Sequence, residues 1–294
     1  YCRLLLARGQ TQQARALLAE SLEKAPHWAA GRALLVEALL GSGKVREARQ
    51  HFDQLPPGAG HTLKLIEGRL LRAEGRFAEA AEALRTAIAL APRSAAAHFE
   101  LGITYKALGL PGEARACFEN ATRLSPDSTH FQRELANAAL AAGRFRQALE
   151  AATTALASKP DDQEMALARA RALTALGRQE EAARELERQA AKAPDPKPFL
   201  LDLAALHLSR GHHYDALRAI ARVPRGEKSW RVHSLRARVL GAMGHHREAE
   251  KELLKACDLA PDQLLPRKLL ARLYRAQGLQ DKAERVLRHF VATH

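Results

Sequence analysis

Residues 98–126 read HFELGITYKALGLPGEARACFENATRLSP. Two short amphipathic segments meet at Gly109, a small residue (Gly102) stands seven positions before it, Ala114 stands five after it, and Pro126 closes the unit. The same glycine recurs at Gly9, Gly43, Gly75, Gly143, Gly177, Gly211, Gly244 and Gly278, at intervals of 32 to 34 residues. An alanine follows each by five: Ala14, Ala48, Ala80, Ala114, Ala148, Ala182, Ala216, Ala249 and Ala283. A period near 34 residues built from helix–turn–helix units marks an all-α solenoid.

The repeat resembles the tetratricopeptide repeat (TPR) over essentially the whole chain. Tyr105 and Tyr274, or Leu39, Leu71 and Leu240, stand four before the glycine. Phe52, Leu84, Phe118, Leu186, Ile220, Leu253 and Leu287 stand nine after it, and Pro26, Pro92, Pro126, Pro160, Pro194 and Pro261 seventeen after it. The resemblance implies a single right-handed superhelical solenoid over 1–294 with about nine repeats. An incomplete one covers 1–28, and the rest cover 29–60, 61–94, 95–128, 129–162, 163–196, 197–229, 230–263 and 264–294.

Each element of the pattern has a local reason. Glycine reaches positive φ without a Cβ penalty, so it suits the turn. Proline ends the second helix, and the Asp or Ser residues that follow it, as in Ser125-Pro126-Asp127-Ser128 and Pro160-Asp161-Asp162, can cap the next first helix. Gly68, Gly102, Ala136, Ala170, Ala204, Ala237 and Ala271 are small residues on first helices that let a large neighbour approach. Two repeats depart in the same way: Pro56 and Pro224 come only thirteen after their turn glycines, so both second helices should end about one turn early.

The formal net charge is +13, from 34 Arg and 12 Lys against 33 acidic residues. Residues 199–294 hold 18 of the cations and 10 of the acids, so +8 of the excess lies in the last third. Such a surface suits an acidic partner. Aromatic content of 5% disfavours base stacking and hence a specific nucleic-acid surface. Cys2, Cys117 and Cys257 fall in different repeats, with no paired or metal spacing. Isolated thiols suit a reducing, cytoplasmic setting, with a periplasmic or membrane-associated one left open. No apolar run reaches membrane-spanning length. The chain opens at Tyr1 inside a first helix, and Val286, Leu287, Phe290 and Val291 leave the last helix apolar. Truncation or end-to-end self-association would account for both features.

No residue set carries a catalytic, cofactor-binding or metal-ligating pattern. Gly41-Ser42-Gly43-Lys44 lacks the first glycine and the final hydroxyl residue of a phosphate loop, with Ala38 and Val45 in their places. His212-His213 and His245-His246 occupy equivalent turns of adjacent repeats. A metal between them is conceivable, but polar residues are the rule just after these turns, as at Arg76, Arg144 and Arg178.

The family resemblance implies that first helices line a concave partner-binding groove. The cationic and amide residues at its inward positions are Arg69, Arg72, Lys106, Arg133, Asn137 and Arg171, followed by Arg231, Arg238, Lys268, Arg272 and Arg275. Forked guanidinium groups match carboxylates and phosphates. The competing reading is a solvated face with local ion pairs. The carboxylate clamp of chaperone-binding relatives is incomplete: Arg133 and Asn137 imitate its start, but Ala168, Pro198 and Asp202 stand where Asn, Lys and Arg belong. These features point to a non-enzymatic scaffold for a partner protein with an acidic segment. By analogy with bacterial repeats, an envelope, pilus, secretion or polysaccharide-export assembly is expected. The alternatives are the repeat region of a larger enzyme, such as a sulfotransferase or glycosyltransferase, and a binder of an anionic polymer.

Overall fold

The computed structural model describes residues 1–56, 58, 60–224 and 229–293, and all regular structure among them is α-helical. Contacts divide the chain into two units, Tyr1–Pro160 and Asp161–His294.

The first unit runs α1 (Cys2–Ala7), α2 (Thr11–Lys24), α3 (Ala29–Gly41), α4 (Val45–Phe52), α5 (His61–Ala73), α6 (Phe77–Leu90), α7 (Ala95–Ala107), α8 (Pro111–Leu124), α9 (Thr129–Ala141) and α10 (Phe145–Ser158). The second runs α11 (Gln163–Ala175), α12 (Gln179–Lys192), α13 (Lys197–Ser209), α14 (His213–Ala221), α15 (Trp230–Ala242), α16 (His246–Leu259), α17 (Leu264–Ala276) and α18 (Gln280–Thr293). Within each unit a helix packs on its sequence neighbours. First helices also touch the next first helix: α3, α5 and α7 in one unit, and α11, α13, α15 and α17 in the other. Stacking of this kind, between neighbours alone, is helical-repeat solenoid architecture.

The turn glycines adopt φ between +69° and +81°. This left-handed residue lets the next N–H reach back to the carbonyl of the first helix five positions earlier, as Arg76 does to Leu71 (2.9 Å) and Arg144 to Ala139 (2.8 Å). Helix starts use side chains where the sequence offers them. Ser94 Oγ accepts from Ala97 N–H, Ser128 Oγ from Phe131 N–H, and Asp162 Oδ1 from Met165 N–H.

The alanine five after each glycine is buried in every repeat, at 2% exposure for Ala114 and none for the other eight. Small first-helix residues meet large second-helix ones: a Cβ at Gly68 would lie 2.5 Å from Leu84. In the last repeats Ala237, Leu253, Ala271 and Tyr274 form one cluster, against which Val286 and Leu287 pack. The side chains of Phe290 and Val291 lie outside the described residues.

The two short second helices end earlier than the single turn expected. The α4 helix has 8 residues and α14 has 9, against 14 for the other complete second helices. Proline cannot donate to the carbonyl four residues back, and it disfavours helical backbone at the residue before it. Those carbonyls belong to Phe52 and Ile220. Each is satisfied by a tighter turn, from Leu55 N–H at 2.9 Å and Val223 N–H at 3.2 Å.

Candidate functional site

Most cations expected on the first-helix face of the first unit are neutralised from within. Arg69 of α5 lies between two carboxylates, its Nε 2.7 Å from Glu100 of α7 and its Nη1 3.0 Å from Glu37 of α3. Arg72 reaches the other oxygen of Glu100 at 3.0 Å, and Glu100 is 8% exposed. Lys106 is 2.9 Å from Glu134 of α9. Arg133 and Asn137 are half-buried on α9. In the second unit Arg171 of α11 grips Asp202 of α13 at 2.6 Å. These links join α3 to α5, α5 to α7 and α7 to α9 in the first unit and α11 to α13 in the second, so the cations act as rungs between those repeats. A charge held by a partner at hydrogen-bond distance has less to offer an outside anion.

The rest of the second unit differs. Arg231 and Arg238 of α15, and Lys268, Arg272 and Arg275 of α17, are all exposed. Among the described residues these five are paired with no carboxylate; Arg231 lies 5.5 Å from the ring centroid of Trp230. The seven-residue spacing of Arg231 and Arg238 keeps them on one side of α15, and Arg272 has Lys268 and Arg275 as its four- and three-residue neighbours on α17.

Two adjoining recesses lie among them. One, of about 330 Å³, is lined by Pro198 and Leu201 of α13, Trp230, Arg231 and Ser234 of α15, and Leu265 and Leu269 of α17. The other, of about 370 Å³, is lined by Leu208, Gly241, Arg272, Leu273 and Ala276, with His246 at its side. Arg238 and Leu269 line both. The result is an apolar floor rimmed by Arg231, Arg238 and Arg272, with Lys197 and the Arg171–Asp202 pair also lining the first recess. Ser234 is 4% exposed, and its hydroxyl has no hydrogen-bond partner. A larger recess in the first unit, about 550 Å³ between α3 and α5, is lined by Ala33, Leu34, Leu63 and Ile66, and its only charge is Glu37.

A search for cations alone misses Leu201, Trp230, Leu265 and Leu269. The signal was present: Leu265, Leu269 and Leu273 recur every four residues on α17, and Leu265 is 51% exposed. Elsewhere, the Ser42 hydroxyl donates to the Ala38 carbonyl at 2.9 Å and Lys44 pairs with Glu47, so both side chains of that glycine-rich turn have local partners. Burial pushes the Cys117 thiol up to about 11, which keeps it protonated and a poor nucleophile. Burial opposes ionisation of Glu252, but bonds from His233 and Lys255 still hold its carboxyl below the usual range. No helix among the described residues is long and apolar enough to cross a membrane.

Tetratricopeptide repeat models match residues 5–62, 95–128, 133–198, 231–263 and 269–289, and a TPR repeat model matches 68–109. No curated protein sequence matches significantly. Among solved structures, the chain is similar to a tetratricopeptide repeat protein from Parabacteroides merdae (TM-score 0.56, 16% identity, 92% of this chain and 95% of that one). It is also similar to a chain of the APC/C hetero-tetramer Cut9-Hcn1 (TM-score 0.57, 16% identity), covering 90% of this chain and 52% of that one. A thermophilic TPR protein of Thermus thermophilus, TTC0263, aligns over 61% of this chain and 98% of its own (TM-score 0.53, 24% identity). At these identities the likeness is one of fold. With the nine glycine turns, the buried alanines and models reaching from residue 5 to residue 289, the chain belongs to the tetratricopeptide repeat family.

Proposed function

We propose that this chain is a non-enzymatic binding scaffold that takes an acidic protein segment on the α13–α15–α17 face. The observation that carries the reading is a contrast between cations. Arg69, Arg72, Lys106 and Arg171 are held by neighbouring carboxylates, whereas Arg231, Arg238 and Arg272 line the apolar recesses and, with Lys268 and Arg275 on the same two helices, pair with no carboxylate among the described residues. The unpaired cations attract and orient acidic side chains, and the leucine floor rewards burial of apolar ones. An extended or helical segment alternating Asp or Glu with Leu-like residues fits both features. The apolar floor favours such a peptide over a purely anionic polymer, which has nothing to place on it.

Selection from a random-peptide display library tests this. The selected peptides should be rich in Asp and Glu interspersed with large apolar residues. In fluorescence anisotropy, the Arg238→Ala/Arg272→Ala double variant should bind them at least about tenfold more weakly, with unchanged helicity by circular dichroism. Peptides without acidic enrichment, or equal binding by the double variant, would overturn the proposal.

A further inference from the structure

The α13–α14 hairpin departs from the other repeats at one position and shares a second departure with the hairpin that follows it. Four before the turn glycine, where other repeats carry Leu39, Leu71, Tyr105, Leu173, Leu240 or Tyr274, it carries His207. One after the glycine, where Lys44, Arg76 and Arg178 pair with an acid three residues on, it carries His212, followed by Asp215.

The turn brings the three together. Gly211, at φ +75°, directs the His212 N–H onto the His207 carbonyl at 2.9 Å, which fixes the two backbones. The imidazole rings face each other with centroids 6.2 Å apart and planes 24° from parallel. Asp215, in the first turn of α14, places an oxygen 4.0 Å from His212 Nδ1. One ligand atom from each residue lies within 4.8 Å of the other two. Nδ1 of His207 is buried and has no hydrogen-bond partner among the described residues.

We propose that His207, His212 and Asp215 form a three-ligand site for a divalent transition metal of borderline softness, Zn²⁺ being the best suited. Two neutral imidazoles and a carboxylate are the donor types such ions prefer, with water filling the fourth place. Tetrahedral zinc with bonds of about 2.0–2.1 Å needs donors about 3.3 Å apart. Closing from separations of up to 4.8 Å takes side-chain movements of up to about 1.5 Å, and His212 and Asp215 are exposed and able to make them. A neighbouring cation opposes the charge: Arg218 lies 3.9 Å from Asp215. The site is therefore one for a strongly coordinating ion and not for calcium or magnesium. The next repeat is a natural comparison. It has His245 and Glu248 at 3.2 Å, but Leu240 where the third ligand would be.

The test uses Zn²⁺ alone on chelator-treated full chain, by isothermal titration calorimetry, with Co²⁺ absorption reporting coordination number. His207→Leu and His212→Arg restore what other repeats carry at these positions, so both variants should keep the fold. The expected result is one Zn²⁺ per chain, weakened at least about tenfold by either variant and unaffected by His245→Arg. Absence of Zn²⁺ binding to the parent chain would overturn the proposal. So would binding unchanged in a helical His207→Leu variant, or binding lost in His245→Arg.

Discussion

The ring of Phe118 occupies the place where a side chain at residue 102 would begin: a Cβ built on Gly102 lies 2.6 Å from the ring's edge. Phe118 has no exposed surface and cannot swing into solvent, and the neighbouring Phe99 ring, 5.5 Å away, restricts it further. Gly102→Ala should therefore destabilise the chain by about 1–3 kcal/mol. Adding Phe118→Leu should recover part of the loss, since the shorter side chain yields the space. Urea unfolding of the two single variants and the double variant measures the coupling.

Gly177 presents the opposite situation, with an added Cβ meeting nothing within 4 Å but a φ of +78°. The cost of Gly177→Ala is then backbone strain alone, about 1–2 kcal/mol, and Gly177→Asn should cost less because asparagine tolerates this region better. Equilibrium unfolding of the two variants should rank them in that order.

Glu100 holds two arginines at once, and its own carboxylate is nearly buried. Glu100→Gln should cost about 1–3 kcal/mol in thermal or urea unfolding, because Arg69 and Arg72 lose their shared counter-charge in a partly desolvated place. It should also turn this part of the face cationic. Weak binding of acidic peptides at low salt, absent from the parent chain after Arg238→Ala/Arg272→Ala, is the expected gain.

His51 has a pKa lowered from 6.5, first by burial and then by the nearby Arg32, with Glu47 opposing. The unfolded chain then takes up a proton at this residue before the folded chain does. Stability is complete above the ordinary value of 6.5 and falls as pH drops from there through the lower folded value. An NMR titration should place His51 below its ordinary value of 6.5. The loss of unfolding free energy between pH 7.5 and 5.5 should be smaller in His51→Gln.

The repeat was readable because its requirements are local. A glycine at +75° and an alanine with no room around it leave a mark at every occurrence, whatever the rest of the chain does. Ionic pairing on the first-helix face was not readable in the same way. Whether Arg69 or Arg171 is available depends on Glu100 or Asp202, 31 residues later, and on rotamers that bring the two within reach. Among the described residues Arg231 and Arg238 have no such acid beside them, and that depends on the neighbouring helix. The histidines show the same limit. The dipeptides at 212–213 and 245–246 drew attention as a pair of turns, while the structure sets His212 beside His207, a residue hidden in an apolar position of its own repeat.

The shortened α4 and α14 give the chain lines of fracture. In a molecule where each hairpin leans only on its neighbours, cohesion passes through every second helix to the first helix that follows. Five or six residues of that bridge are missing at both places, and at the first the two-pronged bond of Arg49 to Glu74, 2.7 Å on each side, is a clasp across the thinned seam. Under tension or mild denaturant each unit should part at its own seam before its longer-helix pairs do. The amide protons of α1–α4 and of α15–α18 should then exchange as blocks, each with a free energy of opening below that of the helices on the other side of the seam.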